Sequence, residues 1–340
     1  MLAHVLILIA LFSIPLSLQP AYGADSPTSL TISVPGPRNL SYLPIDLIPK
    51  IGADRAEGAT VKIRHTGGGG VAIQHLVRRN SDFAVAGAPA MLSQNVKGEP
   101  VTILAAVNDR PLFVLMVRAG LKGEVKRVAD LKGRVIGVNT SSMSSKTTSQ
   151  QLAELLLKAD NVELDTVRII PAGQSWEQQS AILVSGTADA VMGDEPFASR
   201  LQAMKKAFFL VNLAEPAARE GIPGAGFLHA ALATRPGLLQ ENPRKVEKMV
   251  SVLRRTLQWI ATHTPEQIIS ALEIKDQEER KSMLQSLRKY HRLYSPDARL
   301  STQQLHETEI FFRAAEQGNP AAQKLAIESM VADKWAGRKE

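Results

Sequence analysis

The sequence predicts an α/β protein of two lobes, each built on a doubly wound sheet, with a helical segment at its C-terminal end. Three observations predict it. From residue 30 to about residue 234, short apolar runs alternate with segments of helical period, the pattern of sheets covered by helices on both faces. A polar crossing, Asn108-Asp109-Arg110-Pro111, interrupts the alternation part-way, and the same alternation then resumes. Beyond residue 236 only helical periodicity is left. A length of 340 residues accommodates two ordinary domains.

The chain opens on Leu2 to Leu18, apolar and without a charge, followed by small residues at Ala21-Tyr22-Gly23-Ala24. Residues 1–23 read as a secretory signal peptide. Its lack of Lys or Arg leaves an uncleaved anchor or a misassigned start codon as alternatives. No later segment is long and apolar enough to cross a bilayer. After a short arm, Leu30 to Val34 is a first strand, and the loop Pro35 to Tyr42 leads into a helix around Pro44 to Ile51. Arg38, Ser41 and Tyr42 either face a ligand there or decorate an exposed turn.

The stretch from Val61 to Val107 carries the functional signal. Val61 to His65 alternates apolar with polar, the period of a strand, and Ala72, Ile73, Leu76 and Val77 fall on one helix face. Between them stands Thr66-Gly67-Gly68-Gly69-Gly70. A helix start presents unpaired N–H groups and a partial positive charge, and glycines let a ligand approach the backbone. The loop suits a small anionic or strongly polar solute, or is a tight turn without one. Gly67-x-Gly69-x-x-Ala72 satisfies a loose dinucleotide fingerprint, but Val85-Ala86-Gly87-Ala88 supplies no carboxylate where the ribose needs one. No Lys-Ser or Lys-Thr follows at the distance a phosphate-binding Walker loop requires. Asp82 to Gly87 is then a strand covered on both faces, Pro89 to Val96 a helix, and Val101 to Val107 another strand.

After the crossing, Leu112 to Arg118 and Val135 to Val138 are strands of the second lobe. Thr140-Ser141-Ser142-Met143-Ser144-Ser145 is a run of hydroxyls opening a helix with the face Leu152, Leu155 and Leu156. Thr148 with Gln151 completes a capping box, which leaves Thr140, Ser141 and Ser142 free for a solute. Val167 to Ile170 is a strand, Ser175-x-x-Gln178 caps the next helix, and Ala188 to Met192 is a strand closing on Gly193-Asp194-Glu195-Pro196. Asp194 and Glu195 lie beyond a strand end, where ligands bind in such sheets, or are first-turn acids of the following helix. Phe208 to Val211 and Phe227 to Thr234 are further strands. Asn242-Pro243 and Thr264-Pro265-Glu266-Gln267 start helices, the first with a stripe of Val246, Met249, Val250, Leu253, Leu257 and Ile260.

Composition narrows the function. The 44% hydrophobic and 21% charged content belongs to a globular chain rather than a disordered one. Cysteine is absent, which removes disulfides, thiolate metal sites, cysteine nucleophiles and a lipid-modified cysteine. The net charge of +7 comes from basic residues interleaved with acids and lacking aromatic partners, so nucleic acid is not the expected partner, and mild steering of an anionic solute is. The seven histidines form no metal-ligand spacing, and no Gly-x-Ser-x-Gly elbow occurs. No catalytic residue, metal or cofactor is expected.

The order of several segments resembles a known family. These are Gly52-Ala53 to Glu57-Gly58, the strand with its glycine turn, Asp82-Phe83-Ala84-Val85, Leu104-Ala105-Ala106-Val107, Asp130-Leu131-Lys132-Gly133, Ser185-Gly186-Thr187-Ala188-Asp189-Ala190 with Glu195-Pro196, and Ala233 to Leu239. They resemble the solute-binding proteins of ABC importers over about residues 29–265, nearest the branch for alkanesulfonate, taurine, nitrate and thiamine-precursor pyrimidines. The resemblance implies a type II periplasmic-binding-protein fold, with two sheets joined by two hinge segments and a solute in the cleft. It implies lobe 1 over residues 24–109, lobe 2 over 110–235, and a C-terminal helical segment over 236–340 packing mainly back on lobe 1. The ligand-facing positions it implies are Arg38, Ser41, Tyr42, Thr66, Gly67, Gly68, Gly69, Gly70, Gly87, Ala88, Asn108, Thr140, Ser141, Ser142, Asp194 and Glu195. A monomeric periplasmic receptor follows, taking a small, sulfonate-like solute to an ABC permease and its ATPase. Two alternatives stand beside it. One is an enzyme on the same fold resembling the pyrimidine-precursor synthases, whose cysteine-rich motif this chain lacks. The other is a sensor that signals occupancy to a partner without import.

Overall fold

The structure, a computed structural model, describes residues 26–290 and 292–340. The signal-peptide expectation falls on residues 1–23, outside the described residues. Two five-stranded sheets carry the fold. Strands β1 (Thr28–Val34), β2 (Ala59–His65), β3 (Phe83–Gly87) and β4 (Thr102–Asn108) begin the first, and β5 (Phe113–Arg118), β6 (Val135–Val138), β7 (Arg168–Pro171), β8 (Ala190–Asp194) and β9 (Ala207–Asn212) form the second. The next strand, β10 (Ala230–Thr234), returns to the first sheet, whose order is β2-β1-β3-β10-β4; the second is β7-β6-β8-β5-β9. In each sheet the parallel pairs are accompanied by a strand that runs antiparallel to both its neighbours, β10 in the first and β5 in the second.

The placement of β10 corrects the sequence boundary, which ended the second lobe at residue 235. Every residue of β10 is buried. Its alanines are small enough to lie mid-sheet under helices on both faces, but an apolar run carries no mark of which sheet it joins. The strand also starts later than the expected Phe227, because the Leu228 N–H is taken by Thr308 Oγ1 at 2.9 Å instead of a ladder partner. The chain therefore crosses between lobes twice, over residues 109–112 and 213–229.

Helices α1 (Leu43–Ile51), α2 (Ala53–Ala56), α3 (Gly69–Val77) and α4 (Ala88–Val96) belong to the first lobe, and α5 (Thr148–Ala159), α6 (Trp176–Val184) and α7 (Phe197–Ala203) to the second. The C-terminal segment adds α8 (Pro236–Glu241), α9 (Pro243–Thr262), α10 (Pro265–Ala271), α11 (Gln277–Lys289), α12 (Thr302–Ala315) and α13 (Pro320–Lys324). Their starts follow the sequence chemistry. The Asn242 side chain accepts from the Lys245 N–H at 3.0 Å with proline at the first helical position, and Thr264 with Gln267 forms a reciprocal capping box. Ser175 with Gln178 does the same for α6. The predicted stripe of α9 is buried, in one core with β1, α1 and α10.

The C-terminal segment does more than cover the first lobe. Phe311 of α12 packs in the second lobe's core, stacked on Phe227 with centroids 4.3 Å apart, while its neighbour Phe312 packs in the first lobe's. Glu279 of α11 pairs with Arg38 at 2.7 Å, Asp276 with Arg200 at 3.6 Å, and Lys289 with Glu215 at 2.9 Å. The segment thus straddles both lobes. Among the described residues no helix is long and apolar enough to cross a membrane.

Candidate functional site

In doubly wound sheets the ligand crevice lies beyond the C-terminal ends of the parallel strands. The ends of β1, β3, β6 and β8 meet one another across the lobes here. The Leu40 N–H donates to the Glu195 carbonyl at 3.4 Å, and the Asn39 amide donates to the Asp194 carboxylate. The glycine turn after β2 meets the hydroxyl run after β6: the Ser141 N–H donates to the Gly67 carbonyl at 2.7 Å, and Gly68 forms a β-bridge with Thr140. A Cβ on Gly68 would lie 2.6 Å from Thr140 Oγ1, and one on Gly67 would lie 2.5 Å from Ser141 Oγ. Ser145 against Gly70 and Thr148 against Gly87 are closer still. Gly67 also has φ +85°, which disfavours any side chain. The glycines therefore allow the lobes to approach backbone against hydroxyl.

Behind this seam is a cavity of about 10 Å³, lined by Tyr42, Gly69, Gly87, Phe113, Thr148 and Gln174 among others. That is at the lower limit for a single water, so the lobes stand closed. The surrounding side chains are polar and incompletely paired. Asp194 Oδ1, Thr148 Oγ1, Gln174 Oε1, Ser41 Oγ and both ring nitrogens of His229 are buried without a hydrogen-bond partner. Buried polar atoms are normally satisfied, so such a cluster marks a place for a polar guest. Burial pushes the Asp194 carboxyl up to about 6, against the opposing effect of the Asn39 and Asn139 amides. Burial alone pushes His229 down to about 3, leaving a neutral imidazole packed edge-on against Phe113 at 5.0 Å. Burial, then the nearby Asp194 charge, raises the Tyr42 hydroxyl well above its ordinary value.

The sequence-predicted positions divide accordingly. Tyr42, Gly69 and Gly87 line the cavity, Gly67, Gly68, Gly70, Thr140 and Ser141 form the seam, and Asp194 bridges the lobes through Asn39. Ser41 is buried with a free hydroxyl. Ala88 is buried and donates its N–H to the His229 carbonyl at 3.0 Å. Thr66 is spent on its own turn, donating to the Val34 carbonyl at 3.0 Å. Ser142 hydrogen-bonds Ser144 at the exposed rim. Asn108 ends β4 just before the crossing, its Oδ1 accepting from the Arg110 N–H at 2.8 Å. Arg38 turns away to Glu279 with its side chain 58% exposed. Glu195 caps α7, accepting from the Ser199 N–H at 3.0 Å and hydroxyl at 2.8 Å, and from Tyr290 at 3.0 Å.

The helix after the hydroxyl run is capped by Thr147, which accepts from the Gln150 N–H, and not by Thr148 as expected. The one-residue shift turns Thr148 into the cleft. Sequence reasoning also missed Asn39, Asn139, Gln174, Phe113 and His229. Asn139 directly follows β6, so the strand-end rule points to it; His229 sits in an apolar run and carries no such signal. Among the described residues no group of three His, Cys, Asp or Glu is placed to hold a metal. A larger cavity of about 730 Å³ lies between the first crossing and α9 to α12, lined by Asp109, Arg110, Ile260, Tyr290, Tyr294 and Gln304. It adjoins the end of β4 at Asp109 but none of the glycine turn, the hydroxyl run or Asp194 lines it.

The fold recurs in solved structures. A Bordetella bronchiseptica RB50 protein superposes with a TM-score of 0.81 at 21% identity, covering 91% of this chain and 96% of that one. The alkanesulfonate-binding protein SsuA of Xanthomonas axonopodis pv. citri, bound to MOPS, does so at 0.69 and 15%, covering 92% and 99%. The periplasmic nitrate-binding protein NrtA of Synechocystis PCC 6803 does so at 0.67 and 12%, covering 91% and 87%. No curated protein sequence matches the chain. The architecture is the periplasmic-binding-protein fold, as the sequence resemblance implied. The sequence profile of the NMT1/THI5 like family matches residues 55–268, which include the glycine turn, the hydroxyl run and Asp194. The chain belongs to the NMT1/THI5-like family.

Proposed function

We propose that the chain is an extracytoplasmic solute receptor of an ABC importer, which captures a small polar solute between its lobes and presents it, as a monomer, to a permease and its ATPase. The observation that carries this reading is the cluster of buried, unpartnered polar atoms where the two lobes meet, contributed by both of them. A half-site on one lobe satisfies only part of a guest, so occupancy favours closure. The likeness to SsuA and NrtA supports a binding role. The periplasm is the matching compartment for such a receptor, with residues 1–23 as its export signal.

Gly70→Val tests this reading, because the added side chain meets Ser145 and props the lobes apart. The expected outcome is a larger radius of gyration by small-angle scattering and loss of the thermal stabilisation given to the unaltered chain by whichever of taurine, nitrate, cytosine and putrescine it binds. A variant with unchanged scattering and an unchanged thermal response would reject the cleft as the binding site.

A further inference from the structure

The cleft's chemistry identifies the class of guest more narrowly than the fold does. We propose that the solute presents N–H donors, as an amine, amidine or amino-heterocycle does, with Asp194 as its anchor, and that simple anions without such donors are excluded. This rests on the receptor reading above.

Three observations carry the proposal. The first is the absence of a cation: the cavity lining holds no Lys or Arg, Lys146 beside the lining Thr147 is paired with Glu154 and Glu316, and Arg38 is committed to Glu279 outside. The second is the polarity of what is left unpaired. Asp194 Oδ1 and Gln174 Oε1 are acceptors, the Ser41 and Thr148 hydroxyls serve either role, and neutral His229 offers one acceptor and one donor. Asp194, Gln174 and Thr148 are 2%, 5% and 4% exposed. A sulfonate or nitrate, which only accepts, would leave the Asp194 and Gln174 acceptors unpaired and would repel the Asp194 charge.

The third observation fixes the amide orientations. Gln174 Nε2 donates to the Asn139 backbone carbonyl at 2.6 Å. That carbonyl cannot donate, so a flipped Gln174 would set oxygen against oxygen, and its Oε1 must be the free atom. The Asn139 Oδ1 in turn accepts from Gln179 Nε2 at 2.6 Å. The acceptor character of this wall is therefore built into the backbone.

Matched pairs differing by a donor group test the proposal by calorimetry on the full exported chain: taurine against ethanesulfonate, β-alanine against propionate, and 4-aminopyrimidine against pyrimidine. The donor-bearing member of at least one pair is expected to bind about tenfold or more tightly, since a hydrogen bond to a charged group is worth that much. Asp194→Asn should reduce that ratio severalfold, and Gln174→Leu should weaken the same compound while the circular dichroism spectrum and melting cooperativity report a folded chain. Equal or tighter binding of ethanesulfonate, propionate or nitrate would overturn the donor assignment while leaving a solute receptor intact. No binding by any compound would also overturn it. If Gly70→Val then leaves the scattering unchanged, the receptor reading falls with it.

Discussion

Asp194→Asn offers a quantitative check on the buried carboxyl at the lobe junction. In the folded chain this group holds its proton up to about pH 6, whereas an unfolded aspartate releases it near 3.8. A raised acid contributes stability that is complete below the unfolded value and is lost as pH rises through the folded one. The rise corresponds to about 3 kcal/mol, undiscounted for screening because the side chain is buried. His229 acts with the opposite sign. Its folded value of about 3 lies below the ordinary 6.5, so its contribution is present above 6.5 and lost as pH falls toward 3. Comparing variant with unaltered chain cancels the histidine. Urea unfolding at about pH 3.5 should find the two chains within about 1 kcal/mol of each other, since a protonated carboxyl and an amide have similar solvation. At about pH 7 the asparagine variant should lead by about 3 kcal/mol. A gap that stays constant between these conditions would refute the claim that Asp194 is buried at the expense of its charge.

Two other stability predictions follow from the packing. Phe311→Ala removes a ring stacked in the second lobe's core from a helix anchored on the first, and should cost about 3–5 kcal/mol in chemical denaturation. Asn242→Ala deletes the cap of α9 and should cost about 1 kcal/mol, with Asn242→Asp recovering most of it.

The elements were legible wherever local chemistry decides them. Asp82 to Gly87 reads as a doubly covered strand from its almost unbroken apolar run, and all five residues of β3 are buried. The caps at Ser175, Asn242 and Thr264 read correctly because a short polar side chain before a helix has one strong local partner. The convergence of the glycine and hydroxyl loops followed from the family resemblance and not from either stretch read alone. The pairing within the cleft was not: Asn39 and Asp194 lie 155 positions apart, and only the closed fold joins them. The choice of Thr147 over Thr148 as cap depends on how the chain enters α5, and three consecutive hydroxyl residues give no local preference among themselves. The sequence leaves Arg38 as a ligand contact or as part of an exposed turn, and Glu279, on a helix 241 positions away, claims it.

The interleaving of the two sheets also bears on how the polypeptide matures. In the first sheet β4 is hydrogen-bonded only to β10, and β10 is made after all five strands of the second sheet. During synthesis or refolding, the uninterrupted span from residue 113 to 212 can assemble its sheet alone, whereas the earlier one waits with β4 unpaired until residues 230–234 arrive. The lobe that comes first in the chain is thus the one expected to reach its native state last, and over that interval a buried strand edge is open to chaperones or to aggregation.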